Sequence, residues 1–229
     1  MRWQKWRRWW MSGRMHLPRR VRWISGVGAA IGIGCVFAIS RAVLGEEAAV
    51  PIVASMGAGA VLLFGAPHAP VSQPWPALGG HLVSAAIGVA CAKFVGHDWI
   101  AAAVAVGLSV AVMHELGCLH PPGGATALVA VVGGPPVWAL GFGYVAAPVM
   151  LNALTLFAVA WLFNNKLARR PYPPPPPKLD PACPIQLADV ERALAAHEQA
   201  HGDIEDVNPE MLYEIVDRAW REAERRKRG

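Results

Sequence analysis

The stretch "HELGCLHPPGGATALVAVVGGPP", residues 114–136, sets two histidines, a glutamate and a cysteine ahead of a double proline and a double glycine. Pro121 and Pro122 lack an amide hydrogen and suit the first positions of a helix. Gly123 and Gly124 let a ligand or a neighbouring backbone come close. A helix beginning here would turn its positive dipole end, and the free N–H groups of residues 123–126, towards a small anion. His120 and Thr126 add side-chain donors, and apolar surroundings strengthen each contact. A structural loop ahead of a short packing helix is the other reading of the same residues. His114 and Cys118 stand one helical turn apart with Glu115 and His120 nearby, yet their order follows no metal-site pattern. We expect no metal and no cofactor, and read Glu115 beside His114 as an ion pair at a membrane edge.

The elements that would hold these residues are set by composition. The chain of 229 residues is 54% hydrophobic and only 16% charged, against about 25% charged in ordinary soluble domains. Between Arg41 and Lys166 the formal charges are confined to those two residues and Glu46, Glu47, Lys93, Asp98 and Glu115. The middle is therefore a membrane domain and the net charge of +5 belongs to the ends. Residues 1–21 hold seven of the basic residues, no acid, and Trp3, Trp6, Trp9 and Trp10. That pattern predicts a cytoplasmic segment lying against the headgroups rather than a nucleic-acid-binding arm. The apolar run that follows is too long, and lacks the small-residue cleavage site, for a cleaved signal. The four cysteines have no zinc-site or redox spacing and read as free thiols.

Full spans are expected over residues 21–44, 79–95, 99–114 and 138–163, with short helices over 55–66 and 121–132. The short ones reach only ~18 Å of a core roughly 30 Å thick. "SMGAGAVLLFGAP" (residues 55–67) aligns without gaps on "GGATALVAVVGGP" (residues 123–135), pairing Val61 with Val129, Gly65 with Gly133 and Pro67 with Pro135. Span, short helix, span then occurs twice, and three crossings per unit make the second copy inverted. On this reading the starts of the short helices face each other near the midplane. The anion site comprises Ser55, Gly57 and Gly59 on one side and His120, Pro121, Pro122, Gly123, Gly124 and Thr126 on the other. His68, His81 and His114 are candidates to line the pathway or carry protons, and Lys93 is expected at the interface with Asp98 nearby.

"LHPPGGATALVAVVGG", with "SMGAGAVLLFGAPHAPVSQPWPALGGHLVSA", resembles the HPP family of integral membrane proteins, over residues 22–170. The resemblance implies nitrite transport, a bacterial inner membrane or a plastid, and a domain described as four transmembrane helices rather than six segments. For this chain it points to the bacterial inner membrane, multi-pass, with both termini cytoplasmic.

Beyond the membrane domain (residues 22–168), residues 169–183 hold the polyproline spacer "YPPPPPK" and residues 184–229 a helical tail. Leu187, Val190 and Leu194 share one helical face; Asn208 and Pro209 open a second helix whose apolar stripe is Met211, Leu212, Ile215, Val216, Ala219 and Trp220. Two helices make a very small core, which points to a partner, a homo-oligomer first. The sequence thus predicts an all-α polytopic bundle that passes a small inorganic anion, and no enzyme, since no nucleophile–base set or carboxylate pair occurs. Its partners are the bilayer and the anion, without nucleic acid. The alternative is a scaffold or sensor that acts through the tail.

Overall fold

The structure, a computed structural model, describes residues 18–174, 189, 192, 193, 195, 196 and 209–228. Among these residues every regular element is helical, and the chain divides into two compact units, Met1–Pro175 and Pro176–Gly229. In the first unit α1 (Arg19–Leu44) ends at Gly45, whose φ of 79° suits glycine. α2 (Glu46–Ala60) turns straight back and continues into a π-helical turn, Val61–Gly65. α3 (Pro74–Phe94) opens on a proline, and α4 (Trp99–Glu115) is capped by the Asp98 carboxylate, which accepts the Ala101 amide at 2.9 Å. α5 (Pro121–Val132) is three turns long. α6 (Leu151–Leu162) is lengthened by π-helical turns at Val145–Met150 and Phe163–Leu167. Arg19–Ala42, Pro74–Phe94 and Val145–Leu167 are long and apolar enough to cross a bilayer, while Val53–Gly65, Trp99–Glu115 and Pro121–Val132 are shorter apolar helices.

Side-chain contacts fix the direction of each helix. Gly28 and Gly32 of α1 lie against the Phe64 ring at the far end of α2, so the two are antiparallel. Ser40 and Asn152 exchange hydrogen bonds of 2.9 and 2.7 Å, and Gly28 faces Phe163, so α6 also runs against α1. α3 and α5 are parallel: Gly80 meets His120, and Gly88 meets Ala127 and Ala130. α4 returns beside them, and the Trp75 indole at the start of α3 donates to the Leu116 carbonyl just past the end of α4, at 3.0 Å. One end of the bundle therefore gathers the starts of α1 and α3 with the ends of α2, α4 and α6. The first three helices traverse the bundle in the opposite sense to the last three. α1 packs on α2 as α4 packs on α5, and α1 on α6 as α4 on α3. This is the inverted three-helix repeat that the sequence predicts.

Four segments depart from expectation. α3 starts at Pro74 rather than near Gly79, and α4, expected as a full span, is one of the shorter apolar helices. The first short helix starts at Glu46, not near Ser55, and runs through Pro51. A proline in the second turn removes one backbone hydrogen bond, which this helix tolerates without ending. The last span starts at Val145 rather than near Trp138, after a single turn at Pro135–Trp138, and extends to Leu167. It is broken at Ala147 (φ −135°, ψ 118°), because Pro148 excludes the helical conformation from the residue before it.

The core rests on small residues that let large ones in. Phe64 fills the notch over Gly28 and Gly32 and meets Phe163 edge-on, with ring centroids 5.6 Å apart. α3 and α5 cross through Gly80, Ser84 and Gly88 against Gly123, Ala127 and Ala130, the close approach that membrane helices use in place of a hydrophobic drive.

In the second unit α7 (Pro209–Arg228) buries Ala219 and Ala223, whereas Val216 and Trp220 of the expected stripe are half-exposed. The buried Asp189 carboxylate accepts from Arg192 at 2.9 Å and lies 3.4 Å from Arg226. The tryptophans of residues 1–17, the spacer beyond residue 174, Leu187, Val190, Leu194 and the Asn208 cap lie outside the described residues.

Candidate functional site

α5 starts inside the bundle. His120, its cap residue, has extended backbone (φ −138°, ψ 105°) and sits beside Gly80, roughly 9 Å beyond the start of α3. Pro121 and Pro122 hold the first two helical positions and carry no N–H, and the Gly123 amide donates back to the His120 carbonyl at 2.8 Å. The expected cradle of free amides is therefore absent from the first turn. Gly123 has no room for a ligand either: a Cβ there would stand 2.7 Å from Ser84 Oγ and 2.9 Å from the Gly80 carbonyl. It is glycine so that α5 can touch α3. The second cradle is missing too, since Ser55, Gly57 and Gly59 lie within α2, where their amides belong to the helix.

What converges instead is a pair of imidazoles. His120 Nδ1 donates to the Val71 carbonyl at 2.7 Å, and this fixes the tautomer of the neutral ring, because a carbonyl only accepts. His120 is fully buried, and its Nε2 has no hydrogen-bond partner among the described residues. His81 of α3 meets it edge-on with ring centroids 5.1 Å apart, and His81 Nδ1 lies 2.8 Å from Thr126 Oγ1. The Thr126 hydroxyl donates down its own helix to the Pro122 carbonyl at 3.3 Å. In that arrangement His81 donates through Nδ1, and its Nε2 is likewise left as a lone pair. Both Nε2 atoms approach Gly59 of α2: a Cβ built there would stand 3.7 Å from each and 3.4 Å from Leu156 Cδ2 of α6.

The surroundings hold the pair rigid. Tyr144, fully buried, donates from its hydroxyl to the Thr126 carbonyl at 2.9 Å. Val71 sits in a short 3₁₀ turn, Pro70–Ser72, pinned from outside by Tyr172, whose hydroxyl donates to the Ser72 carbonyl at 2.6 Å. Arg170 closes the same end, donating to Ser25 Oγ, the Phe64 carbonyl and Asn164 Oδ1. Residues 170–172 are thus part of the membrane unit rather than of a spacer.

A family model described as the transmembrane region of HPP proteins matches residues 14–173. The chain belongs to the HPP family. Two transmembrane proteins of Dictyostelium discoideum are similar to it, one 37% identical over 153 residues (65% of this chain, 49% of the relative), the other 38% identical over 126 residues (53% and 44%). The chain spans about half the length of these curated relatives. No solved structure matches it significantly.

The His120-Pro121-Pro122 element of this HPP domain therefore packs against His81, but the other sequence candidates scatter. His68 is exposed and bonds the Pro171 carbonyl at 2.9 Å, and His114 is exposed at the end of α4. A Cβ on Gly124 would be in ordinary contact with Val106 of α4 at 3.9 Å, and one on Gly57 would have nothing within 4 Å. Ser55 is buried in α2. Lys93 lies over the Phe142 ring at 5.7 Å, while Asp98 is taken up as the α4 cap. Lys93, His97 and Trp138 line a cavity of about 170 Å³ at the far ends of α3 and α5. Sequence reasoning missed Val71, Tyr144, Tyr172 and Leu156. The tyrosines left a faint signal: the chain has three, and a scarce polar aromatic in an apolar domain usually has a carbonyl to reach.

Proposed function

We propose that the HPP domain passes a small inorganic anion, nitrite in the first instance, through the bundle by way of the histidine pair. The observation that carries this reading is His120 Nε2, a buried polar atom without a partner among the described residues, beside Gly59 of α2. A buried unsatisfied group destabilises a fold, and a transient solute gives it a reason to persist. Nitrite rests on the family resemblance. The cavity at Lys93 and His97 supports an anion, since it places the Lys93 ammonium at one mouth of the bundle, roughly 18 Å along α5 from the pair. Arg19, Arg20, Arg22, Lys166, Arg169 and Arg170 cluster at the opposite end, which by the positive-inside rule faces the cytoplasm of a bacterial inner membrane.

The test is nitrite uptake by proteoliposomes containing the purified chain. Saturable uptake above protein-free vesicles is expected, and its absence in folded, inserted protein would reject the reading. The separate compactness of the second unit supports a scaffold acting through the tail as the other reading. Removing residues 176–229 leaves uptake intact if the membrane domain is the transporter; on the scaffold reading no uptake occurs with or without them.

A further inference from the structure

Resting on that reading, we propose that the solute crosses together with a proton: the pathway accepts weak acids, or their anions with one H⁺ each, and excludes anions of strong acids. The electrostatics around the pair lead there. With Nδ1 committed to the Val71 carbonyl, the neutral His120 ring presents an Nε2 lone pair, which repels a bare anion and accepts from an O–H or N–H. Nothing nearby offsets that. The first turn of α5 offers no free amide, and the buried titratable side chains of this unit, among the described residues, are His81, His120, Tyr144, Tyr172, Cys91 and Cys118, with no carboxylate or lysine.

The groups facing His120 can be named element by element. α3 contributes His81, α4 Met113 near Gly80, α2 Gly59, and α6 Leu156. α5 contributes Thr126, with Tyr144 behind it, and the Pro70–Ser72 turn contributes Val71, with Tyr172 behind it. Arg170 donates through Nη1 to Ser25 and through Nη2 to the Phe64 carbonyl and Asn164, while its buried Nε has no partner among the described residues. A charge brought into such surroundings unpaired is strongly disfavoured. A neutral acid is not.

Gly59 supplies the second line of argument. Gly28, Gly32, Gly80, Gly88 and Gly123 are packing glycines, because a Cβ on any of them would come within 3.0 Å of a neighbour. At Gly59 the nearest atoms stand at 3.4 and 3.7 Å, so the fold accepts an alanine, and helix propensity favours one. The glycine leaves both Nε2 atoms uncovered on the α2 side, where an alanine methyl would lie in contact with each of them and with Leu156.

The step balances without a redox partner. The acid H–A donates its proton to His120 Nε2; the resulting imidazolium holds A⁻ through Nε2–H and then returns the proton. Each passage moves one H⁺ and one A⁻ and leaves the ring neutral.

The full chain in vesicles containing a trapped pH dye, at zero membrane potential, decides the matter. Inward gradients of nitrite or formate should acidify the lumen by one H⁺ per anion above protein-free vesicles, whereas nitrate and chloride should not. Gly59→Ala should lower nitrite uptake at least tenfold with melting temperature unchanged or raised. His120→Asn, which keeps a donor for the Val71 carbonyl and deletes Nε2, should lose it equally. Nitrite uptake without acidification overturns the proton and leaves anion passage standing. Full uptake by Gly59→Ala removes the α2 side of the pair as the route. No flux of any of the four solutes removes the transport reading and this inference together.

Discussion

The Ser72 carbonyl accepts the Tyr172 hydroxyl at 2.6 Å, while the hydroxyl of Ser72, equally buried, has no partner among the described residues. One residue thus offers a made and an unmade hydrogen bond side by side. Tyr172→Phe should destabilise the membrane unit by about 1–3 kcal/mol, the usual penalty for leaving a buried acceptor unsatisfied. It should also slow transport, because the neighbouring Val71 carbonyl orients His120. Ser72→Ala removes an orphaned group and should be neutral or stabilising. Thermal melting in detergent distinguishes the two, and equal losses would contradict the assignment. Burial pushes the Tyr172 phenol up from its ordinary value of 10.0, so the folded state favours the protonated hydroxyl. Its stabilisation is therefore constant through neutral pH and declines only as pH rises beyond about 10. At this scale His81, His120, Gly59 and Thr126 are all legible in the sequence as candidates, and the fold brings the four together. The relation among them was not legible, since it joins α2, α3 and α5 across long stretches of chain.

Glycines at the level of helices fall into two kinds that a sequence does not separate. On α3, a Cβ at Gly88 would stand 2.7 Å from the Ala127 carbonyl, which is backbone and cannot swing aside. On α4, Gly107 has nothing within 4 Å. Gly88→Ala should force α3 and α5 apart and sharply lower the yield of monodisperse protein. Gly107→Ala should be neutral or stabilising, by up to about 1 kcal/mol. Size-exclusion profiles after mild heating report both, and a well-behaved Gly88→Ala would show that the crossing yields more easily than its geometry implies. For the same reason a loss of activity in Gly123→Leu would report a broken helix crossing and not a lost ligand contact. Helix number and order were legible from apolar lengths and proline–glycine punctuation. Boundaries were not where proline acts in two ways: Pro51 sits inside α2 without ending it, whereas Pro148 breaks the last span one residue earlier, at Ala147.

Across the whole molecule the inverted repeat carries an asymmetric site. The register that pairs Ser55 with Gly123 pairs His120 with Ile52 and His81 with Val149, so neither histidine has a counterpart in the other half. The symmetry therefore supplies the crossing helices and their close approach, and the chemistry was placed on one side of it. If the repeat spans a membrane, its equivalent loops must open on opposite faces. His68 follows α2 at the end where α3 begins, Pro135 follows α5 at the end where α3 finishes, and both are exposed. Introduced into a chain cleared of Cys35, Cys91, Cys118 and Cys183, His68→Cys and Pro135→Cys should react with a membrane-impermeant maleimide from opposite sides. The side that labels position 68 should be the cytoplasmic one, since His68 bonds the Pro171 carbonyl next to the basic cluster at Arg169 and Arg170. Labelling of both positions from one side would mean that α5, three turns long and starting inside the bundle, does not complete a crossing. The domain would then have fewer than six crossings, and a route that enters at the cavity by Lys93 and passes the histidines would lose its far exit.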